Sequence, residues 1–256
     1  TNFVLSYYRN YYVKRDANYV LGINETQRQD VNDMWQYVVD GMIPAGNPNA
    51  GALKFKDLNG YLRDDSGNIV MVNGKPAYSG SPDGMIDEAD MIYKGNSTPI
   101  PFSLNNSFEF GKFDVNVYFY GMFNNWQNNS TYTMFAGNLQ NVALYGENTL
   151  KSLANRWSYD NLNSSIPSIF AHVESTAAQR NGYYLEKAWF LRCDNVSLGY
   201  TFKTKKSNKY FSSLRVYAAA RNLFVITPYS GSDPETDSQA AYPNSRTYTF
   251  GIDITF

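Results

Sequence analysis

The chain has 256 residues, with 22 Lys plus Arg against 23 Asp plus Glu and a formal net charge of −1, a balance that argues against a nucleic-acid binder, which needs a basic patch to displace counterions from phosphates. Charged residues make up 18% against a typical ~25%, and aromatics, led by 22 Tyr and 16 Phe, rise to 16% in their place. Intrinsic disorder is excluded, because it needs few aromatics and high net charge, and a helix-rich enzyme is disfavoured, because Ala, Leu, Glu and Lys do not lead the composition.

In chain order, a first and less regular strand is predicted from Phe3 to Val13. A long connection, Gly22 to Pro99, leads to a strand in which Phe102, Leu104, Phe108 and Phe110 alternate with Ser103, Asn105, Ser107 and Glu109. The short turn Gly111-Lys112 follows, then Val115, Val117, Phe119 and Phe123 alternating with Asp114, Asn116, Tyr118 and Met122. After a second long connection, Asn124 to Tyr184, Val196, Leu198, Tyr200 and Phe202 alternate with Asn195, Ser197, Gly199 and Thr201. The Lys-rich stretch Lys203 to Tyr210 joins this strand to the next, where Leu214, Val216, Ala218 and Ala220 alternate with Arg215, Tyr217, Ala219 and Arg221. A third long connection, Pro228 to Asn244, precedes the last strand, in which Tyr248, Phe250, Ile252, Ile254 and Phe256 face one way. Period-two alternation of this kind is the mark of strands with one apolar and one polar face.

These strands are long, about 10 to 16 residues against a mode of ~5–6. Short turns at one end and long loops at the other are the layout of an outer-membrane β-barrel. A soluble β-sandwich also alternates, but it rarely needs strands this long or loops this unequal. The last strand adds weight: the chain ends on the outward aromatic Phe256, with Ile254 two residues before it and Gly251 five before it. That ending resembles the C-terminal signal by which outer-membrane barrels are recognised for insertion. Since a bacterial barrel needs about eight strands to close, five or six strands are expected to form the C-terminal part of something larger. The predicted class is therefore all-β: C-terminal strands of a large antiparallel transmembrane barrel with long extracellular loops, residues 1–256 being one barrel portion. No apolar run reaches the ~18 residues of a transmembrane helix.

Several motifs, read in order, resemble the C-terminal region of the SusC/RagA family of TonB-linked outer-membrane proteins of Bacteroidetes. They are Leu53 to Gly60 (LKFKDLNG), Asp83 to Asp87 (DGMID), Phe190 to Tyr200 (FLRCDNVSLGY), Leu214 to Tyr217 (LRVY), Arg221 to Phe224 (RNLF), Tyr229 to Glu235 (YSGSDPE) and Arg246 to Gly251 (RTYTFG). The resemblance covers roughly residues 50 to 256. It implies a barrel of about 22 strands closed by a plug domain, energised import through TonB, and a SusD-like surface lipoprotein as extracellular lid. The cargo it implies is an oligosaccharide, sometimes a peptide. The plug and the TonB-contacting segment are not in this sequence, so the rest of the barrel, the plug and membrane lipid are expected partners. The implied location is the outer membrane, with Phe256 periplasmic. Counting back, the three long connections then face outside, while Gly111-Lys112 and Lys203–Tyr210 are periplasmic turns.

One constellation points to a cation. Asp57-Leu58-Asn59-Gly60, joined directly to Asp83-Gly84-Met85-Ile86-Asp87-Glu88-Ala89-Asp90, matches a twelve-residue calcium loop at most of its defining positions, with Asp90 where Glu normally sits. The inserted residues 61–82 contain Asn73-Gly74, the favoured two-residue hairpin turn, so the two half-loops can meet. Asp57, Asn59, Asp83 and Asp87 would then give side-chain oxygens, Met85 its carbonyl and Asp90 one oxygen. The alternative is a solvated acidic turn.

Other residues carry less. Trp126, Tyr132, Tyr145, Trp157 and Tyr159 lie in the Asn124–Tyr184 connection and suit stacking on sugar rings, although barrel rims are aromatic as well. Lone Cys193 and lone His172 read as spectators, with no second group to make a disulfide, a metal site or a catalytic pair. No acid pair, activated nucleophile or phosphate-cradling loop appears, so no enzyme is expected. Two functions remain in view: a component of a TonB-dependent nutrient importer, or a soluble secreted β-rich glycan-binding module.

Overall fold

A computed structural model of the chain describes residues 1–14, 28–129, 132, 150–168, 182–203, 210–236 and 244–256. Tyr145, His172 and most of the Lys-rich connection lie outside the described residues. The chain forms two units: Thr1–Tyr8, Pro99–Gln127 and Lys187–Phe256 in one, Arg9–Thr98 and Asn128–Glu186 in the other.

The first unit is a six-stranded antiparallel sheet. Its strands are β1 (Asn2–Leu5), β2 (Ile100–Phe110), β3 (Phe113–Phe123), β4 (Phe190–Lys203), β5 (Ser213–Ile226) and β6 (Thr247–Thr255), hydrogen-bonded in that order. The all-β, antiparallel reading holds. β1 is shorter than the strand predicted from Phe3 to Val13: pairing with β2 stops at Leu5, with one further bond from the Ser6 amide to the Pro101 carbonyl at 3.0 Å, and Tyr11 bridges Asp30 instead.

Register turns alternation into two surfaces. Leu104 pairs with Phe119, Val117 with Val196, Leu198 with Ala218 and Ala218 with Phe250, so the apolar side chains form continuous rows on one face. Asn105 with Tyr118, Asn116 with Ser197, Ser197 with Ala219 and Ala219 with Thr249 line the other. The apolar face is not packed away: Phe110 is 83% exposed, Phe250 82% and Ile252 64%. Contiguous exposed apolar surface on this scale marks contact with lipid or a partner.

One irregularity interrupts these rows. The register shifts between Cys193 and Asn195 against both neighbouring strands. This β-bulge places Arg192 opposite Tyr120 on the polar side, while Cys193 stands opposite Phe119 on the apolar one. Asn222 on β5 answers it with a positive φ of 49°, a conformation Asn tolerates better than most residues.

The second unit is built from short strand pairs: Asp33–Gln36 with Ile92–Asn96, Val39–Met42 with Leu53–Phe55, and Met71–Val72 with Lys75–Pro76. The last pair closes through Asn73 and Gly74 at φ 53° and 75°, as the Asn-Gly signal predicts. Tyr37 and Met91 are buried against Trp35 and Phe55, and Leu153 against Tyr132, Leu150 and Ile166. The long connections thus carry their own small cores.

Candidate functional site

The hairpin insertion does bring the two acidic half-loops together. Asp57 accepts the Asp83 amide on Oδ1 at 3.2 Å and the Gly84 amide on Oδ2 at 2.6 Å. Asp83 folds back on the Met85 amide at 2.9 Å, and Asn59 Oδ1 accepts the Gly60 and Gly80 amides at 3.1 and 2.9 Å. Asp90 is fully buried and ties the halves from the other side, taking the Leu58 and Asn59 amides on Oδ1 and the Asp87 amide on Oδ2. Asp87 caps the 3₁₀ turn Glu88–Asp90 through the Ala89 amide at 2.8 Å. At Gly60 the halves leave no room for a side chain: a Cβ there would stand 2.5 Å from Asp83 Oδ2.

The electrostatics follow from this crowding. Burial raises the Asp87 carboxyl above the ordinary carboxylate range, and repulsion from Asp90 and Asp83 adds to it. Tyr61 and Tyr78, stacked at 6.2 Å, are pushed up to about 12 by burial and by the Asp87 and Glu88 charges. The carboxylates are nevertheless spent on backbone amides: among the described residues no three His, Cys, Asp or Glu side chains converge as a metal site. Asp57, Asn59, Asp83, Asp87 and Asp90 are gathered in one network, and Met85 is exposed beside it. The same oxygens that would meet a cation here accept backbone amides instead.

The aromatic candidates separate. Trp157 is 4% exposed and lies on the Gly51 backbone, so its ring is part of a core. Tyr159 meets its edge at 5.5 Å and is itself 73% exposed, which leaves a face free for stacking. Trp126 is half-buried, with the Lys187 ammonium 5.7 Å from its ring centre. Tyr132 packs on Tyr183 and Tyr184 at 6.1 and 5.9 Å.

At the end of the sheet, Gly251 stands opposite Tyr217 on the polar face, and a Cβ on it would strike the phenol ring at 2.4 Å. The glycine of the terminal pattern is therefore a seat for an aromatic side chain. Ile254 and Phe256 lie on the apolar side or beyond it, 52% and 90% exposed.

Sequence reasoning missed the most heavily bonded polar cluster of the sheet unit. Arg192, 2% exposed, donates from Nη2 to both oxygens of Asp233 at 2.8 and 3.0 Å, and from Nη1 to Asn222 Oδ1. Its Nε lies 2.6 Å from Glu235 Oε2, close enough for ion pairing although the N–H is not aimed at that oxygen. Tyr120 donates to the same carboxylate at 2.9 Å. The available signal was an arginine at the point where alternation fails, Arg192-Cys193-Asp194-Asn195.

A sheet of long antiparallel strands, apolar and exposed on one side and polar on the other, is the construction of a transmembrane barrel wall. No family model matches the chain. The TonB-dependent receptor SusC of Bacteroides thetaiotaomicron is 29% identical over 194 residues, covering 72% of this chain and 18% of the receptor. The TonB-dependent receptor P3 of Formosa agariphila is 25% identical over 190 residues, covering 68% of this chain and 18% of that protein. A solved structure of the RagAB peptide transporter superposes with a TM-score of 0.58 at 22% identity, over 90% of this chain and 23% of its own. The RagAB peptide importer in its closed-closed state gives 0.56 at 24% identity, over 87% and 23%. The chain is thus similar in sequence to TonB-dependent receptors such as SusC and shares the fold of the RagAB structures, and it spans about a fifth of the length of the relatives it matches. Those relatives are receptors and transporters, not enzymes.

Proposed function

We propose that this chain is a wall segment of a TonB-dependent outer-membrane importer of the SusC/RagA type. The observation that carries the reading is the two-faced sheet, whose apolar rows stand exposed while Asn, Ser, Thr and charged residues line the other side. Lipid covers the first face and the lumen wets the second. The cargo is an oligosaccharide or a peptide; SusC and the RagAB peptide importer are the relatives that suggest this range. A SusD-like lipoprotein is the expected lid, and TonB acts through a part of the receptor outside this chain. In this reading Phe256 is periplasmic, and the long connections face outside.

Two experiments test it. The intact receptor should need detergent to stay monodisperse; stability without detergent would favour the soluble glycan-binding module instead. A Ser232→Cys substitution should label from outside in intact cells and Lys112→Cys should not. Native Cys193 is buried and should stay silent. The reverse labelling would overturn the orientation. Growth of a deletion strain on a panel of glycans and peptides then identifies the cargo.

Calcium is proposed as an ordering ion of the acidic loop. Supporting it are the twelve-position pattern and the repulsion that Asp90 and Asp83 exert on the Asp87 carboxylate, which a divalent ion would offset. Calcium should then protect the Leu53–Lys94 segment from protease, with a gain set by its concentration over the dissociation constant. The Asp57→Ala, Asp83→Ala double variant should be sensitive with or without chelator. A wild-type segment indifferent to chelation would reduce the motif to an acidic turn.

A further inference from the structure

The segment that follows β5 does not run off into solvent. Thr227 Oγ1 donates to the Trp189 carbonyl at 2.8 Å and accepts the Tyr229 amide at 3.1 Å. Tyr229 is 7% exposed and covers Gly231. The Pro234 carbonyl accepts Gln127 Nε2 at 2.8 Å, and Asp233 Oδ1 caps the Glu235 amide at 2.9 Å. On the return, Asn222 Nδ2 donates to the Asn244 carbonyl at 2.7 Å, and Asn244 Nδ2 to Asp233 Oδ2 at 3.2 Å. At the centre is Arg192, with Asp233 5% exposed beside it and Glu235 bridging to Tyr120.

The side of the sheet is decided by register. Tyr120 shares the polar face with Tyr118, Asn116 and Asp114, and the bulge puts Arg192 on that same face. Asp233 and Glu235 reach back to these two residues, so Thr227–Thr236 is folded over the polar side. A guanidinium this buried needs opposite charge and directed acceptors, and breaking such a pair from one side leaves an uncompensated charge. These bonds tie the loop to the sheet at several points.

We propose that Thr227–Thr236 is a fixed strap forming part of the passage wall, and that Arg192 is the positioning residue that holds it there. The first half rests on the reading that the polar face lines the lumen; the second does not. The strap is then a static boundary for cargo.

The test uses the full-length receptor in detergent micelles, followed by hydrogen exchange and mass spectrometry of peptides covering 227–236. Wild type should exchange slowly there. Arg192→Met should exchange roughly a hundredfold faster in the strap, with peptides from Leu53–Lys94 unchanged and the barrel still resistant to unfolding on unheated gels. Arg192→Lys, which keeps the charge but loses the fork, should fall between them, and Asp233→Ala should reproduce Arg192→Met should the first variant not fold. Strap exchange that ignores both substitutions in a folded barrel would overturn the positioning role. Nitroxide labels at Ser197→Cys and Leu198→Cys test the other half. A water-soluble nickel chelate should relax the first and dissolved oxygen the second. The opposite pattern, with the strap still Arg192-dependent, would overturn the lumen assignment and leave the clamp standing.

Discussion

Gly60 and Asp87 show how much of the acidic loop rests on single atoms. Gly60 has room only for hydrogen, because Asp83 occupies the space where a Cβ would project. Gly60→Ala should therefore push the Asp83 half-loop away from the Asp57 carboxylate, at about 1–3 kcal/mol for forced overpacking. Faster protease nicking between Leu53 and Lys94, with no change elsewhere, is the expected result. Asp87 offers a pH test. Its pKa in the folded loop is raised by burial and by its acidic neighbours, so the fold is better off with Asp87 protonated. That contribution is present below the ordinary carboxylate pKa and is lost as pH rises through the elevated one. Asp87→Asn keeps an acceptor for the Ala89 amide and removes the charge. In chelator, the variant should resist protease better than wild type at neutral pH, and the gap should close on acidification. A gap independent of pH would mean that repulsion around Asp87 is unimportant.

At the scale of the strand, the two faces should respond oppositely to the same substitution. Leu198 is 49% exposed in the apolar row between Val115 and Ala218, and its neighbour Ser197 lies in the polar row between Asn116 and Ala219. Leu198→Lys should lower barrel stability by roughly 2–4 kcal/mol if that face meets the bilayer interior, whereas Ser197→Lys should be nearly neutral. Urea titration of the receptor in lipid vesicles measures both. Equal effects would contradict a lipid-facing row. Alternation made this contrast readable without coordinates, since a side-chain period of two leaves only the choice of which face is wet. It did not reveal the bulge at Cys193/Asn195. Arg192 and Cys193 exchange the faces that unbroken alternation would assign, and only the neighbouring strands show where the extra residue is absorbed.

For the molecule as a whole, six strands leave two unpaired edges among the described residues, at β1 and β6. Exposed strand edges invite association, and a barrel removes them by closure. Phe256→Ala in the intact receptor should slow barrel insertion if this outward aromatic is recognised during assembly. Heat-modifiable migration of newly exported protein gives the rate, and an unchanged rate would reduce Phe256 to one more lipid-facing side chain. The all-β class, four of the strands nearly in full, the two faces and the meeting of the acidic half-loops were legible in the sequence by itself. Each depends on local rules: period-two patterning, the Asn-Gly turn, and ligand-type residues at fixed spacing. Tertiary structure alone decided that β1 is short, that Trp157 is a core residue while Tyr159 is open, and that Asp83 and Asp87 turn to backbone amides. It alone also brought Arg192 to Asp233 and Glu235 across some forty residues of chain. Such pairings are set by register and by the need to satisfy a buried charge, and neither is a property of any short stretch of sequence.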